Sequence, residues 1–211
     1  MSKNFLILCL SFFVFGYIYG QYDWTQGKLI LKKGDTLIGY LKLPIINKAA
    51  IGNSHSIKYK ESKEQNGRSQ YYPSSVKEII FKDLNNETSI YRYIKTSKHG
   101  KSQMFKLLYS GDNIRLYGRM VSEITASPLP GNSNIVTSEG YYPTDFNEFY
   151  AQGKYDRIAT PLIKVGPFTK SFKKNAMKYF SDCPDLALKI ENGKLRQSDL
   201  LEIAEKYDEC K

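Results

Sequence analysis

The chain has 211 residues, and its 31 lysines and arginines against 21 acidic residues give a formal charge of +10 at pH 7. An apolar fraction of 41% is enough to bury a core, which argues against a globally disordered chain. The basic residues are spread along the sequence and form no single block. The charge therefore indicates either a soluble protein with lysine-covered sheet edges or attraction to an anionic membrane surface, acidic glycan or nucleic acid.

The first 20 residues have the pattern of a signal peptide. Lys3 provides a positive start, residues 5–15 are almost wholly apolar, and the small residue Gly20 precedes Gln21. The pattern predicts cleavage near Gly20 and a periplasmic or secreted protein. An uncleaved membrane anchor is the alternative, although the apolar run is short for a spanning helix. A lipoprotein is disfavoured because Cys9 lies inside the apolar run.

Export would leave Cys183 and Cys210 as the remaining cysteines, both near the carboxyl end. An oxidising compartment favours one disulfide between them, whereas an intracellular chain would hold two free thiols. The spacing is not that of a C-x-x-C redox pair. We therefore predict a structural bridge. Export also makes nucleic acid the least expected anionic partner.

The first structural element after the leader is a β-hairpin. Residues 27–32 and 36–43 are two apolar runs, and Lys33-Gly34-Asp35 between them is a tight-turn sequence. Leu37, Leu41 and Leu43 share one face at a period of two, with Gly39 between them. A glycine inside a strand often marks a bend or bulge.

This hairpin resembles the start of secreted Bacteroidota proteins with the pattern G-x-I-x-L-x-x-G-D-T-x-x-G. The matching residues are Gly27, Leu29, Leu31, Gly34, Asp35, Thr36 and Gly39. The resemblance covers about 20 residues and implies an exported protein with a β-rich body and a helical, cysteine-containing tail. No activity is established for such proteins, so the resemblance implies no catalytic residue.

Further strands follow to about residue 165. The 17 tyrosines and the alternating patterns favour β structure. We predict strands at 56–60, 70–72, 76–82, 88–95, 104–109, 114–121, 147–152 and 154–160, the last two forming a hairpin around Gly153. Residues 127–140 are rich in proline, glycine and asparagine, which is typical of an exposed loop.

The tail changes to a helical period. Phe168, Phe172, Ala176 and Phe180 are four residues apart, which predicts a basic amphipathic helix over 168–180. Two shorter helices are expected at 185–191 and 198–207. The lysines of the first helix could attract an anionic membrane while its phenylalanines insert. We favour ordinary packing of those phenylalanines onto the β body.

Catalytic and cofactor signatures are absent from the sequence. His55 and His99 lie in polar stretches without neighbouring ligands, and no phosphate-binding loop or G-x-S-x-G elbow occurs. We expect no cofactor and no metal. Asp145 and Glu148, close to Tyr141 and Tyr142, are candidates for a carboxylate pair in a sugar site or for a ligand or partner surface.

The sequence thus predicts an α+β protein. A signal peptide spans 1–20, an antiparallel β body (an open barrel or curved sheet) spans 21–165, and a small helical unit spans 166–211. The favoured function is that of an exported, non-catalytic cell-envelope protein that binds a protein or glycan. The alternatives are a secreted hydrolase using Asp145 and Glu148, and a membrane-surface protein using helix 168–180.

Overall fold

The computed structural model describes residues 24–43, 56–82, 88–119, 146–166 and 171–210. It contains one antiparallel sheet of ten strands, which does not close into a barrel, in the order β10-β9-β8-β7-β6-β5-β1-β2-β3-β4. The strands are β1 Thr25–Leu31, β2 Thr36–Lys42, β3 Ile57–Lys60, β4 Ser69–Tyr71, β5 Val76–Lys82, β6 Thr88–Ile94, β7 Gln103–Ser110, β8 Ile114–Arg119, β9 Glu148–Gly153 and β10 Thr160–Ile163. The predicted signal peptide lies outside the described residues.

The first hairpin forms as its sequence predicts. Gly34 has a φ of 105°, which an L side chain rarely adopts, and the turn closes by hydrogen bonds between Leu31 and Asp35 and between Gly34 and Leu31. Gly27 and Gly39 are paired directly across β1 and β2. The hairpin then pairs with β3 on one side and β5 on the other, so it occupies the middle of the sheet's amino-terminal half.

One face of this half carries the first core, which we call the core face. Alternate residues of the strands point to it, and Leu29, Leu41, Ile57 and Ile79 are fully buried there. Tyr59 and Tyr71 meet edge to face at 6.2 Å within the same cluster. The period-two pattern of the sequence therefore corresponds to a buried side and an open side of β1 to β6.

Three helices cover the same face at the other end of the sheet. They are α1 Phe172–Tyr179, α2 Pro184–Glu191 and α3 Leu200–Glu209, with a 3-10 turn at Gln197–Asp199. Their apolar sides pack on Ile114, Leu116, Ala151 and Leu162 in one cluster. The rings of Phe180 and Tyr207 meet edge to face within that cluster, with their centres 5.0 Å apart. Cys183 and Cys210 form the predicted disulfide, which joins the start of α2 to the end of α3.

Both edges of the sheet are limited in what they offer to another strand. The β10 edge contains Pro161, which has no N–H, and Asn175 of α1 donates a hydrogen bond to the carbonyl of Leu162 at 3.2 Å. At the opposite edge β4 has only three residues.

Two elements have boundaries that differ from the sequence-based expectation by more than two residues. Residues 154–159 form a loop instead of a strand, because the Asp156 carboxylate accepts the Gly153 N–H at 3.0 Å and closes a turn there. The last strand therefore begins at Thr160 and pairs with β9. Helix α1 begins at Phe172, later than residue 168, since Ser171 is its N-cap.

The predicted fold class is confirmed: the protein is α+β, with a β-rich body and short helices at its carboxyl end. The proposed bounds of the two units stay predictions. Among the described helices, none combines the length and the apolar character that crossing a membrane requires.

Candidate functional site

The sheet gathers five lysines onto the face opposite the core. In an antiparallel pair, residues directly opposite each other point to the same side. The strand register therefore places the five lysines on the same side of β1 to β6, and we call this surface the lysine face. Its lysines are Lys28 of β1, Lys42 of β2, Lys58 and Lys60 of β3, and Lys82 of β5.

The register connects the lysines through apolar neighbours. Lys28 pairs with Ile38 on one side and with Ile80 on the other. Ile80 pairs in turn with Ile90 of β6. Ile38 is 62% exposed, and Lys28 and Lys82 are exposed as well. The lysine face is therefore a mixed surface, basic and apolar, that solvent reaches.

Two aromatic residues belong to the lysine face. Tyr40 pairs with Gln26 in β1 and with Lys60 in β3, so its ring stands on the same side as those residues. Trp24 lies just before β1, and the Lys60 Nζ is 4.7 Å from the centre of its ring. A cation at this distance over an indole is attracted by the ring's π electrons. Trp24 is the only tryptophan of the chain.

The positive charge of the lysine face is not balanced within it. Glu78 is the single carboxylate that the described strands place there, and it is occupied by Arg92, whose Nη2 is 2.7 Å from its Oε2. Within the described residues no ion pair involves any of the five lysines. The surface thus combines five cationic side chains with aromatic and aliphatic ones, which suits an anionic ligand.

On the same side of the sheet, the side chains of β7, β8 and β9 are buried or half-buried and do not continue the exposed surface. Leu107, Tyr117 and Tyr150 continue the row from Ile90, and Tyr117 and Tyr150 are 2% exposed. Phe105 and Tyr150 meet edge to face at 5.0 Å. The backbone N–H of Ala159, which is fully buried, donates to the Lys95 carbonyl and holds the loop before β10 near this cluster.

A buried ion pair lies within this closed part. Arg119 Nε donates to Glu148 Oε2 at 2.7 Å, and Arg119 Nη1 donates to the Gln103 amide oxygen. The guanidinium also lies 4.8 Å from the Phe105 ring centre. The Glu148 carboxylate further accepts the Tyr150 hydroxyl at 3.3 Å and the Val165 N–H at 3.2 Å.

These surroundings define the chemistry of the cluster. Burial, and then the negative charge of Glu148, raise the pKa of Tyr150 to about 12, so its hydroxyl stays protonated and acts as a donor. The carboxylate of Glu148 is fully engaged by Arg119, Tyr150 and Val165. The arrangement is that of a satisfied structural network.

Of the candidates named from the sequence for a carboxylate pair or a ligand surface, the structure describes Glu148 alone. Glu148 is 2% exposed and lies in the interior, so its carboxylate faces the Arg119 guanidinium and does not contribute to a surface. Tyr141, Tyr142 and Asp145 lie outside the described residues. Glu148 therefore has a structural partner, and a carboxylate pair with Asp145 stays a prediction.

The basic tail helix packs as the sequence analysis favoured. Phe172 contacts the core cluster beneath the helices, and Ala176 and Phe180 are buried in it. Lys173, Lys174 and Lys178 are exposed. Phe168 and Lys170 lie outside the described residues. Over its described length, α1 thus directs its apolar side toward the sheet.

A metal centre finds no support in the described part of the chain. Its His, Cys, Asp and Glu side chains form no group of three or more that could hold an ion. His99 is exposed in a bend between β6 and β7, and His55 lies outside the described residues.

The lysine face is not recognisable as one surface from the sequence. The sequence feature that indicates such a surface is the alternation of lysine with apolar residues within a strand, as in Ile57-Lys58-Tyr59-Lys60. Alternation shows which residues of one strand share a side, but it does not show which strands become neighbours. No protein-family model, curated protein or solved structure matches this chain.

Proposed function

We propose that this is an exported, non-catalytic protein of the cell envelope that acts by binding through the lysine face. The observation that carries the proposal is the placement of Lys28, Lys42, Lys58, Lys60 and Lys82 on one accessible side of the sheet without acidic partners among the described residues. A purely structural sheet surface needs lysines for solubility, but it does not need Trp24 and Tyr40 placed among them.

Export is supported by the leader pattern of residues 1–20 and, weakly, by the disulfide between Cys183 and Cys210. The hydrolase alternative has less support, because the carboxylate of Glu148 is held by Arg119. The membrane-surface alternative has less support because Phe172 packs against the core.

The proposal is tested on protein produced in its native host, first by mass measurement and then by crosslinking. Intact mass after fractionation, with thiol alkylation, is expected to show loss of residues 1–20 and no alkylation of Cys183 or Cys210. Full-length protein with two alkylated thiols would contradict export. Crosslinking in whole cells then compares the protein with a triple variant, Lys28→Glu, Lys58→Glu and Lys82→Glu.

The matched control is Lys173→Glu, Lys174→Glu and Lys178→Glu, which makes the same change of charge on α1. We expect the first triple variant to lose its envelope crosslinks while the control keeps them. The reverse pattern would assign binding to α1. Equal crosslinking of both variants would reject the lysine face as the binding surface.

A further inference from the structure

We infer that the ligand of the lysine face is an acidic polysaccharide, bound as an extended chain across the strands. The inference deepens the proposed function and rests on it. The surface has the two features that such a ligand requires: cations for carboxylate or phosphate groups, and flat aromatic or aliphatic side chains for the apolar faces of sugar rings.

The dimensions of the surface suit a polymer. The lysine face extends from β6 through β5, β1, β2 and β3 to β4. Five spacings of about 4.8 Å between neighbouring strands make it roughly 24 Å wide. Its lysines stand on four strands, β1, β2, β3 and β5, instead of converging on one point. A small anion would contact one or two of them, whereas a charged chain can contact them in succession.

Polar and aromatic side chains stand between the cations. Gln26, Gln70 and Thr88 share the face and can exchange hydrogen bonds with hydroxyl groups. Tyr40 lies between Gln26 and Lys60 in the register, where its ring can stack on a sugar while the lysine reaches an acidic substituent. Trp24 lies beside the same lysine.

The composition distinguishes this surface from a protein interface. Lysine is depleted from the cores of protein interfaces, because burying an ammonium group without a partner is costly. Lys28 stands in the middle of the apolar row, between Ile38 and Ile80. A hydrated, charged polymer leaves such a side chain partly in water, so it fits this position better than a dry protein surface does.

The test uses the natural fluorescence of the purified, disulfide-bonded protein. Because Trp24 is the only tryptophan and lies on the lysine face, its emission reports ligand contact there directly. Titration with polygalacturonate is expected to change this emission saturably, with an affinity that falls as salt rises. Dextran, a neutral polysaccharide, is expected to leave the emission unchanged. Calorimetric binding of polygalacturonate without any change in emission would place the ligand elsewhere and overturn the inference.

Variants separate charge from stacking. Lys28→Gln, Lys58→Gln and Lys82→Gln together are expected to weaken polygalacturonate binding about tenfold, given the modest strength of exposed ion pairs. Lys173→Gln, Lys174→Gln and Lys178→Gln together are expected to change it by less than about twofold. Tyr40→Leu should weaken binding, while Tyr40→Phe, which keeps the ring, should retain it. An equal effect of both triple variants, or of both Tyr40 variants, would overturn the inference.

Comparing the binding of other polyanions with that of polygalacturonate tests whether the ligand is a polysaccharide. Polyglutamate has carboxylates without sugar rings, and we expect it to bind more weakly than polygalacturonate and to be insensitive to Tyr40→Leu. Equal or tighter binding of polyglutamate, of single-stranded oligothymidylate or of anionic phospholipid vesicles would overturn the polysaccharide assignment. If the glycan fails but envelope crosslinks still depend on Lys28, Lys58 and Lys82, the proposed function stands with a different ligand. If both fail, the lysine face is not a binding surface.

Discussion

The carboxylate of Asp208 accepts a hydrogen bond of 2.6 Å from the backbone N–H of Asn113, so the last helix holds the turn between β7 and β8. The same carboxylate accepts a hydrogen bond from the Asp112 backbone N–H at 2.9 Å, and the Asn113 side-chain Nδ2 donates to the Asp208 backbone carbonyl at 3.2 Å. A Cβ on Gly111 would clash with the Asp208 carboxylate, so any larger residue there would displace that side chain from its position over the turn. The helical tail is thereby locked to the sheet.

This contact predicts an acid-sensitive part of the stability. Burial raises the pKa of Asp208, but hydrogen bonds from the backbone N–H groups of Asn113, Asp112 and Ile114 outweigh it and lower the pKa overall. Because the folded pKa is below the unfolded value of about 3.9, the carboxylate stabilises the fold at neutral pH. That stabilisation is lost as the pH falls below about 4 and through the folded pKa.

We therefore expect Asp208→Asn to lower the free energy of unfolding by about 1 kcal/mol at pH 7, since this partly exposed site loses charge-assisted hydrogen bonds. The difference from the native protein should shrink as the pH falls below 4. Urea denaturation at several pH values measures both. Glu205→Gln, on an exposed position of the same helix, is the control. A difference that stays constant with pH would contradict the assignment.

The disulfide is expected to stabilise the same region. Cys183 and Cys210 are 27 residues apart in sequence, and Cys210 follows Asp208 by two residues at the end of α3. Closing a loop of this size is worth about 3.5 kcal/mol on the chain-entropy model. The Cys183→Ser and Cys210→Ser double variant should lose about that much free energy of unfolding.

Hydrogen exchange gives the local check on the disulfide. The backbone N–H groups of Asp112 and Asn113 donate hydrogen bonds to the Asp208 carboxylate. Their hydrogens should exchange faster in the double variant, because the end of α3 is no longer tethered by the disulfide. Amides of the β1–β2 hairpin, which lie in a separate core cluster, serve as the internal reference. Unchanged protection at Asp112 and Asn113 would show that the turn is held without the bridge.

Replacing only one partner of the buried ion pair between Arg119 and Glu148 should strongly lower the free energy of unfolding. Arg119→Met or Glu148→Leu alone leaves an unpaired buried charge, with an expected loss of about 3–5 kcal/mol. The double variant removes both charges and should lose less than the sum. Denaturation of the four proteins in a double-mutant cycle measures the coupling.

Lys33 and Asp35 provide the exposed comparison for that cycle. Their 2.7 Å ion pair is more than half exposed on both sides and is screened by solvent, so the corresponding cycle with Lys33→Gln and Asp35→Asn should give a much smaller coupling than the buried pair. Additive losses at Arg119 and Glu148 would mean that the buried pair acts as two independent packing groups.

Gly39 should control the position of β3 and therefore of two lysines. A Cβ at Gly39 would lie 2.3 Å from the Lys60 carbonyl oxygen and 2.8 Å from the Tyr59 ring. Gly39→Ala forces β3 away from β2, with an expected loss of about 1–3 kcal/mol. Gly67→Ala, whose nearest neighbour would be 3.9 Å away, should be nearly neutral in the same denaturation assay. Equal stability of the two variants would contradict this tight packing.

Local patterns were enough to predict much of the fold. The Gly34 turn, the alternation in β1 and β2 and the four-residue spacing in α1 each depend on residues close in sequence, and the structure contains all three. The strand expected at residues 154–160 was wrong, because Asp156 closes a turn back to Gly153 and competes with extension of the ladder.

Residue patterns over short stretches were sufficient to predict the β-rich body and the helical tail, because each depends on the period of neighbouring apolar residues. The two cysteines beyond the predicted leader likewise indicated the disulfide. The three-dimensional fold was needed to see that Lys28, Lys58 and Lys82 share one open side of the sheet, and that Glu148 on the same side is buried. Pairing of strands distant in sequence sets both outcomes. A side chain's exposure depends on what packs over its part of the sheet, and a local pattern does not contain that information.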